Sequence, residues 1–283
     1  MQTAPPPRLY GIHAAHAPIV AVFRRGPSNW WHILKWDYRA GVVERGAWLR
    51  GKLYPRRSSL SHDGMYLFTF ILKHPGWIDM PNPYSGLNNL ETRTTWSQVS
   101  KLPWLTALAA WAEMGTWTSG FWFAQANPEA QACWGEIGPP QHLALGNAPP
   151  LCLVQYSGQP LAVERSLGWR LEHNSETPEE VVICRPRPDS SATLFAQVAF
   201  NRVTGFDFYS NVYQLARDGR EPEPLTDAAW ADWAHDGRLL VATINGQLQV
   251  RSPSGDGWAV EWSMDTCGWK PDPQPSPEWA RRW

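Results

Sequence analysis

The sequence predicts an all-β fold built from repeated antiparallel meanders, and three observations point to it. Tight-turn signals recur at Ser61-His62-Asp63-Gly64, at Ala234-His235-Asp236-Gly237 and at Asn245-Gly246. AspGly and AsnGly suit two-residue hairpins because glycine takes a positive φ without steric cost. Short apolar or alternating runs lie between such turns, as in strands. The third is composition: 283 residues hold 19 Trp, 26 Pro and 22 Gly, which suits turn-rich, aromatic-packed β structure.

In chain order, the prolines at 5–7 make residues 1–8 a flexible lead-in. Strands are expected over 19–25, 30–38 and 42–49, a three-stranded meander. A second unit opens with the turn at 54–64 and continues as a strand over 65–73. Gly64 and Gly237 lie 173 residues apart, four steps of about 43 or three longer ones, against the ~40–45 residues of a four-stranded repeat. LeuThr at 105–106 and AlaAlaTrpAla at 109–112 recur at 225–226 and 228–231, and both copies are expected to be strands. Residues 156–164 echo 244–251 as a hairpin, and 193–200 pairs with 206–215 before a turn at 217–219. Residues 74–92 form an inserted loop, too long for a hairpin. The Pro-rich tail 271–283 ends in Trp279 and Trp283, bulky anchors that disordered tails lack.

The Ser61–Gly64 and Ala234–Gly237 turns, each followed by an apolar strand, resemble the SerProAspGly turn that opens blades in TolB-like and WD40-like β-propellers, with His62 and His235 in place of Pro. The resemblance covers most of the chain loosely and 54–73 and 225–251 well. It implies one domain over 1–283: a ring of six four-stranded blades, with five as the alternative, used chiefly as a binding platform. A terminal strand closes many such rings, and Trp279–Trp283 is the candidate here.

Formal net charge is −1, so no global electrostatic partner is implied. Residues 1–75 carry +8 and residues 76–283 carry −9, a polarity best explained by complementarity within the molecule. Cys133, Cys152, Cys184 and Cys267 show no paired short spacing, which suits reduced thiols in a cytoplasmic protein rather than a zinc site or disulfide framework. No signal peptide or apolar run of membrane-spanning length is read.

Candidate chemistry is thin. Gly46 to Lys52 spells Gly-x4-Gly-Lys, but Leu53 stands where a phosphate loop needs Ser or Thr, so a hairpin is expected. Ser61-His62-Asp63 is contiguous, whereas a catalytic triad is assembled from separated positions. His13 and His16 have no evident third ligand, so no metal is expected. No catalytic residue and no cofactor is assigned.

Trp30, Trp36, Trp48, Trp230, Trp233, Trp258 and Trp262 lie in strand patterns, where packing is the expected role. Trp77 and Tyr84, on the inserted loop, are the candidate contacts for a protein partner. Arg24, Arg25, Arg56 and Arg57 offer a basic face for nucleic acid, against which stands stacking of these side chains on nearby Trp rings. The functional expectation is therefore a non-catalytic protein–protein interaction scaffold. The alternatives are binding of nucleic acid or an acidic partner through the N-terminal sector, and a propeller hydrolase with a metal in its channel.

Overall fold

The computed structural model describes residues 5–73, 95–113, 120–124, 134, 137–155, 161–172, 180–199, 210–217, 220–254 and 257–283. They form an all-β protein of five antiparallel sheets met in chain order, none of which closes on itself. The loop 74–92, with Trp77 and Tyr84, lies outside the described residues, as do Cys133 and the turn at 218–219.

The first sheet is a four-stranded meander: β1 (Arg8–His13), β2 (Ile19–Arg25), β3 (Trp30–Asp37) and β4 (Val42–Arg50). Both faces of β2 are covered, which explains its unbroken apolar run, while the edge strand β4 alternates and turns Gly46 and Trp48 inward. The strand β1, which begins at the last residue of the expected lead-in, was not among the strands expected from the sequence. Leu9, Tyr10 and Ile12 are buried, because β1 packs against β2 on one side and the fifth sheet on the other.

The second sheet contains β5 (Lys52–Leu53), β6 (Ser59–Leu60), β7 (Tyr66–Leu72), β8 (Thr95–Lys101) and β9 (Ala109–Ala112). After β10 (Phe121–Ala124), β11 (His142–Leu143) returns to pair with β9 at its edge. Gly46 to Lys52 is thus a crossing between sheets rather than a hairpin. Its glycine is required by close approach: a Cβ on Gly46 would stand 2.1 Å from the Pro103 carbonyl oxygen, and Ala47 N donates to that same oxygen.

The third sheet pairs β10 with β12 (Cys152–Gln155). Where the sequence echo suggested a hairpin at 156–164, residues Ala162–Ser166 are instead a short helix, α1. The fourth sheet runs β13 (Arg170–Leu171), β14 (Glu180–Pro186), β15 (Ala192–Ala199), β16 (Ser210–Arg217) and β17 (Glu223–Pro224). The fifth is β18 (Ala228–Trp233), β19 (Leu239–Thr243), β20 (Gln247–Ser254) and β21 (Gly257–Asp265).

The turns at Gly64 and Gly237 lie three sheets apart, so the longer of the two spacings applies. The two AlaAlaTrpAla copies are both strands, but β9 lies late in its sheet and β18 first, so they do not occupy equivalent places.

One apolar cluster joins the first, second and fifth sheets, another the fourth and fifth, and a third the second and third. Tryptophan supplies several of the junctions. Trp230 of β18 lies over Gly11, where a Cβ would come within 2.7 Å of the ring. Trp36 of the first sheet stacks on Trp262 of the fifth at 5.6 Å. Trp233 Nε1 donates to the Arg185 carbonyl of the fourth sheet at 2.9 Å.

The C-terminal tail is not a strand. Pro271, Pro273, Pro275 and Pro277 remove four amide donors from it, and Glu278–Ala280 form a 3₁₀ turn. It straps the second sheet instead. Ala280 is fully buried, Trp283 packs on Tyr66 and Trp134, Trp283 N donates to Leu145 O, and Lys101 Nζ donates to Trp279 O. Removing 272–283 is expected to cost about 2–3 kcal/mol, the burial of one large aromatic, and to lower the urea midpoint without changing strand content. An unchanged midpoint would show that the strap carries no stability.

Candidate functional site

The polar chemistry inside the molecule gathers where sheets meet. At the first junction Glu164 of α1 accepts a hydrogen bond from Tyr10 Oη of β1 at 3.0 Å and another from Arg56 Nη1 at 2.5 Å. Arg56 is the middle residue of a 3₁₀ turn over Pro55–Arg57 whose first residue is proline. Its Nη2 donates to Asn211 Oδ1 of β16 at 2.7 Å, and Asn211 Nδ2 donates to Tyr213 Oη at 3.1 Å. Only 8 % of the Arg56 side chain is exposed, and its guanidinium lies over the Tyr10 ring at 5.4 Å. Five side chains from the first and fourth sheets, the 3₁₀ turn between β5 and β6, and α1 thus share one network. Burial pushes both phenols well above their ordinary range, and the Glu164 charge adds to this while Arg56 opposes it. Tyr10 and Tyr213 are hydrogen-bonding phenols here, not acids.

A second buried group lies between the first, fourth and fifth sheets. Asp232 of β18 pairs with Arg185 of β14 and accepts from Trp233 N at 2.8 Å. Burial raises its pKa and Arg185 works against that rise. His13 Nδ1 lies 4.0 Å from Asp232, yet burial and then Arg185 hold the imidazole down to about 3, so the contact is not an ion pair near neutrality. His13 Nε2 and Tyr38 Oη are 3.2 Å apart, Tyr38 Oη and His235 Nδ1 2.9 Å, and His235 Nε2 lies 2.9 Å from the Ala15 carbonyl. This chain links the buried carboxylate region to the Asp236-Gly237 turn.

The sequence-derived turn residues adopt the expected turns. Gly64 has φ +74° and Gly237 +80°, and their amides close turns on Ser61 O and Ala234 O. Asp63 accepts from Met65 N, and Asp236 pairs with Arg238, whose guanidinium lowers the carboxyl pKa. Gly246, at φ +82°, follows Asn245, whose carbonyl accepts from Cys267 Sγ. His13 and His16 are divided between partners: His13 faces His235 at 4.6 Å, and His16 faces His62 at 5.1 Å. Ser61 Oγ donates straight to Asp63, with no imidazole between them.

The arginines proposed for a basic face separate. Arg24 is buried, a correction to its expected exposure. Its guanidinium donates to Thr266 O, Trp269 O and Gly26 O, and lies over Trp48 and Trp269, so it ties β2 to the segment after β21. Desolvation brings its pKa down to about 10, still above neutrality. Arg56 is likewise inside the network above. Arg25 lies over Trp31 at 5.6 Å, and Arg57 over Tyr54 and Phe70 at 5.1 and 5.2 Å. A strand rich in arginine and aromatics can thus serve packing, with the guanidinium stacked on rings.

Sequence reasoning missed Tyr10, Glu164, Asn211 and Asp232. Tyr10 and Glu164 are 154 residues apart, and no local spacing encodes such a contact. Among the described residues no group of three His, Cys, Asp or Glu is placed to hold a metal, and no helix is long and apolar enough to cross a membrane. The chain was compared with protein-family models, curated proteins and solved structures, and none of them matches.

Proposed function

We propose that the five sheets are the blades of a propeller and that the ring serves as a non-catalytic platform for a protein partner. The carrying observation is the packing of the first sheet against the fifth, with Trp230 over Gly11 and Arg24 reaching Thr266, so that the beginning of the sheet series meets its end. Repeated sheets joined first to last form a rigid rim from which loops project, and binding residues concentrate on such loops. The buried ionisable groups support the reading: Glu164 and Asp232 each face an arginine and serve to join sheets. The partner contact is assigned to the 74–92 loop through Trp77 and Tyr84, aromatic residues of the kind that dominate interface energetics.

The test is affinity capture from lysate with the full chain, its Trp77→Ala variant and a 74–92 deletion. A partner retained by the full chain and reduced at least tenfold by Trp77→Ala is expected, which corresponds to a contact of about 1.4 kcal/mol or more. A partner retained equally by all three would remove the loop from the interface.

A second reading, polyanion binding, draws on exposed Arg45, which lies over Trp269 at 4.6 Å on the first sheet. Salt-dependent binding of a mixed oligonucleotide pool would favour it, and no binding at low salt would dismiss it.

A further inference from the structure

We propose that Arg56, Tyr10 and Asn211 form a carboxylate-binding cradle, that Glu164 fills it as an internal ligand, and that α1 is a displaceable plug over a site for an acidic side chain of a partner protein. The three groups come from β1, from β16 and from the 3₁₀ turn between β5 and β6, and converge on one carboxylate region: Tyr10 Oη and Arg56 Nη1 both donate to Glu164 Oε1, while Asn211 Oδ1 takes Nη2 and orients the guanidinium fork. Two donors meeting at one oxygen, backed by a second-layer amide, is how proteins recognise a carboxylate. Here the carboxylate arrives on a five-residue helix rather than on a neighbouring strand.

The plug's own geometry is the independent observation. Its leading residue, Leu161, sits at φ 61°, ψ 33°, a left-handed conformation that costs a leucine steric strain, and no side chain caps the helix. Leu161, Val163 and Trp169 anchor it to the core, whereas Arg165, Ser166, Gly168 and Arg170 face solvent. The cradle is therefore covered by a helix whose outer face is in solvent, and the Arg56 and Glu164 side chains keep 8 % and 12 % exposure. Withdrawal of 161–169 would expose Arg56 and Tyr10 together, relieve Leu161 and leave the sheets that carry the donors paired as before. A partner's Asp or Glu would replace Glu164 atom for atom, with no bond made or broken.

This adds a ligand class to the platform reading but uses none of the 74–92 loop, so the two fail separately. Acetate is the probe. Calorimetric titration of acetate into a Glu164→Ala variant should show one saturable site, undetectable in the wild-type chain and lost in the Glu164→Ala/Arg56→Met double variant. A folded Glu164→Ala protein with no saturable acetate binding, or binding that survives Arg56→Met, would overturn the cradle. Hydrogen exchange on the wild-type chain tests the plug even if the variants do not fold. The amides of 163–169 should exchange at least tenfold faster than those of β19 under native conditions, and exchange of both segments at one common rate would overturn displacement.

Discussion

Replacing Arg56 with methionine is expected to destabilise the fold by about 3–5 kcal/mol, the cost of leaving a buried partner charge uncompensated. Methionine keeps an apolar stem but removes the guanidinium over the Tyr10 ring and both hydrogen bonds of the fork, leaving Glu164 with Tyr10 alone among these donors. Exposed arginines give a different scale. Arg282, paired with Glu278 where both side chains are about two-thirds exposed, should cost no more than about 1 kcal/mol when replaced by alanine. Urea unfolding of the two variants side by side checks the contrast. Equal and small losses would mean that the Glu164 pair adds nothing beyond a surface contact. The Arg56→Met/Glu164→Gln double variant should recover part of the loss, since removing both charges leaves no buried ion.

Acid lability is the second large expectation. His13 and His32 are both buried, and both are held down to about 3 against an ordinary 6.5. For each the first cause is desolvation; nearby guanidiniums add to it, Arg185 for His13 and Arg45 with Arg24 for His32. His32 also stacks on Trp48 at 4.0 Å, a contact that suits a neutral ring. A depressed histidine stays neutral in the folded chain while the unfolded chain takes up a proton. Its contribution is therefore complete above pH 6.5 and is lost progressively as pH falls from about 6.5 towards 3. At 1.36 kcal/mol per pH unit the loss is on the order of 4 kcal/mol for each histidine across that window.

Asp232 works in the opposite direction. Its raised pKa lets the folded carboxyl protonate before the unfolded one, which returns a little stability in acid. Asp236 and Asp265, both depressed, add losses only as pH falls below their ordinary 3.8. Urea midpoints measured from pH 7 to pH 4 should fall steeply, and His32→Phe should flatten the slope by roughly half. A midpoint constant between pH 6.5 and 4 would contradict the buried, neutral imidazoles.

How far the fold was legible follows from where its information is stored. The hairpin turns are local: AspGly at 63–64 and 236–237 and AsnGly at 245–246 announce a positive φ, and the flanking apolar runs became β7, β19 and β20. Strands buried on both faces, such as β2, read as unbroken apolar stretches and were equally plain. β1 was hidden because its LeuTyrGlyIleHis segment follows three prolines and is secured by distant contacts, above all Trp230 over Gly11.

The same logic explains the two inward arginines. Arg24 follows IleValAlaValPhe at a strand end and looks solvated, but its acceptors Thr266 and Trp269 lie more than 240 residues away. Glu164 carries a local signal. LeuAlaValGluArgSerLeu after Pro160 is a run of mostly good helix formers, and the resemblance of 156–164 to a hairpin concealed it. In the tail Trp283 packs on Tyr66 and Trp134 while Trp279 is half exposed, and the alternate prolines rule out the ladder that a closing strand needs.

A propeller requires the sheets to form a circuit. The described residues pack the first sheet on the second and fifth, the second on the third, and the fourth on the fifth. The decisive measurement is a crystal structure that shows how the third sheet lies against the fourth. A closed ring requires the third and fourth sheets to face one another, with α1 at the inner end of their junction and its Glu164 carboxylate on Arg56. Third and fourth sheets standing apart across solvent, or Glu164 away from Arg56, would contradict it.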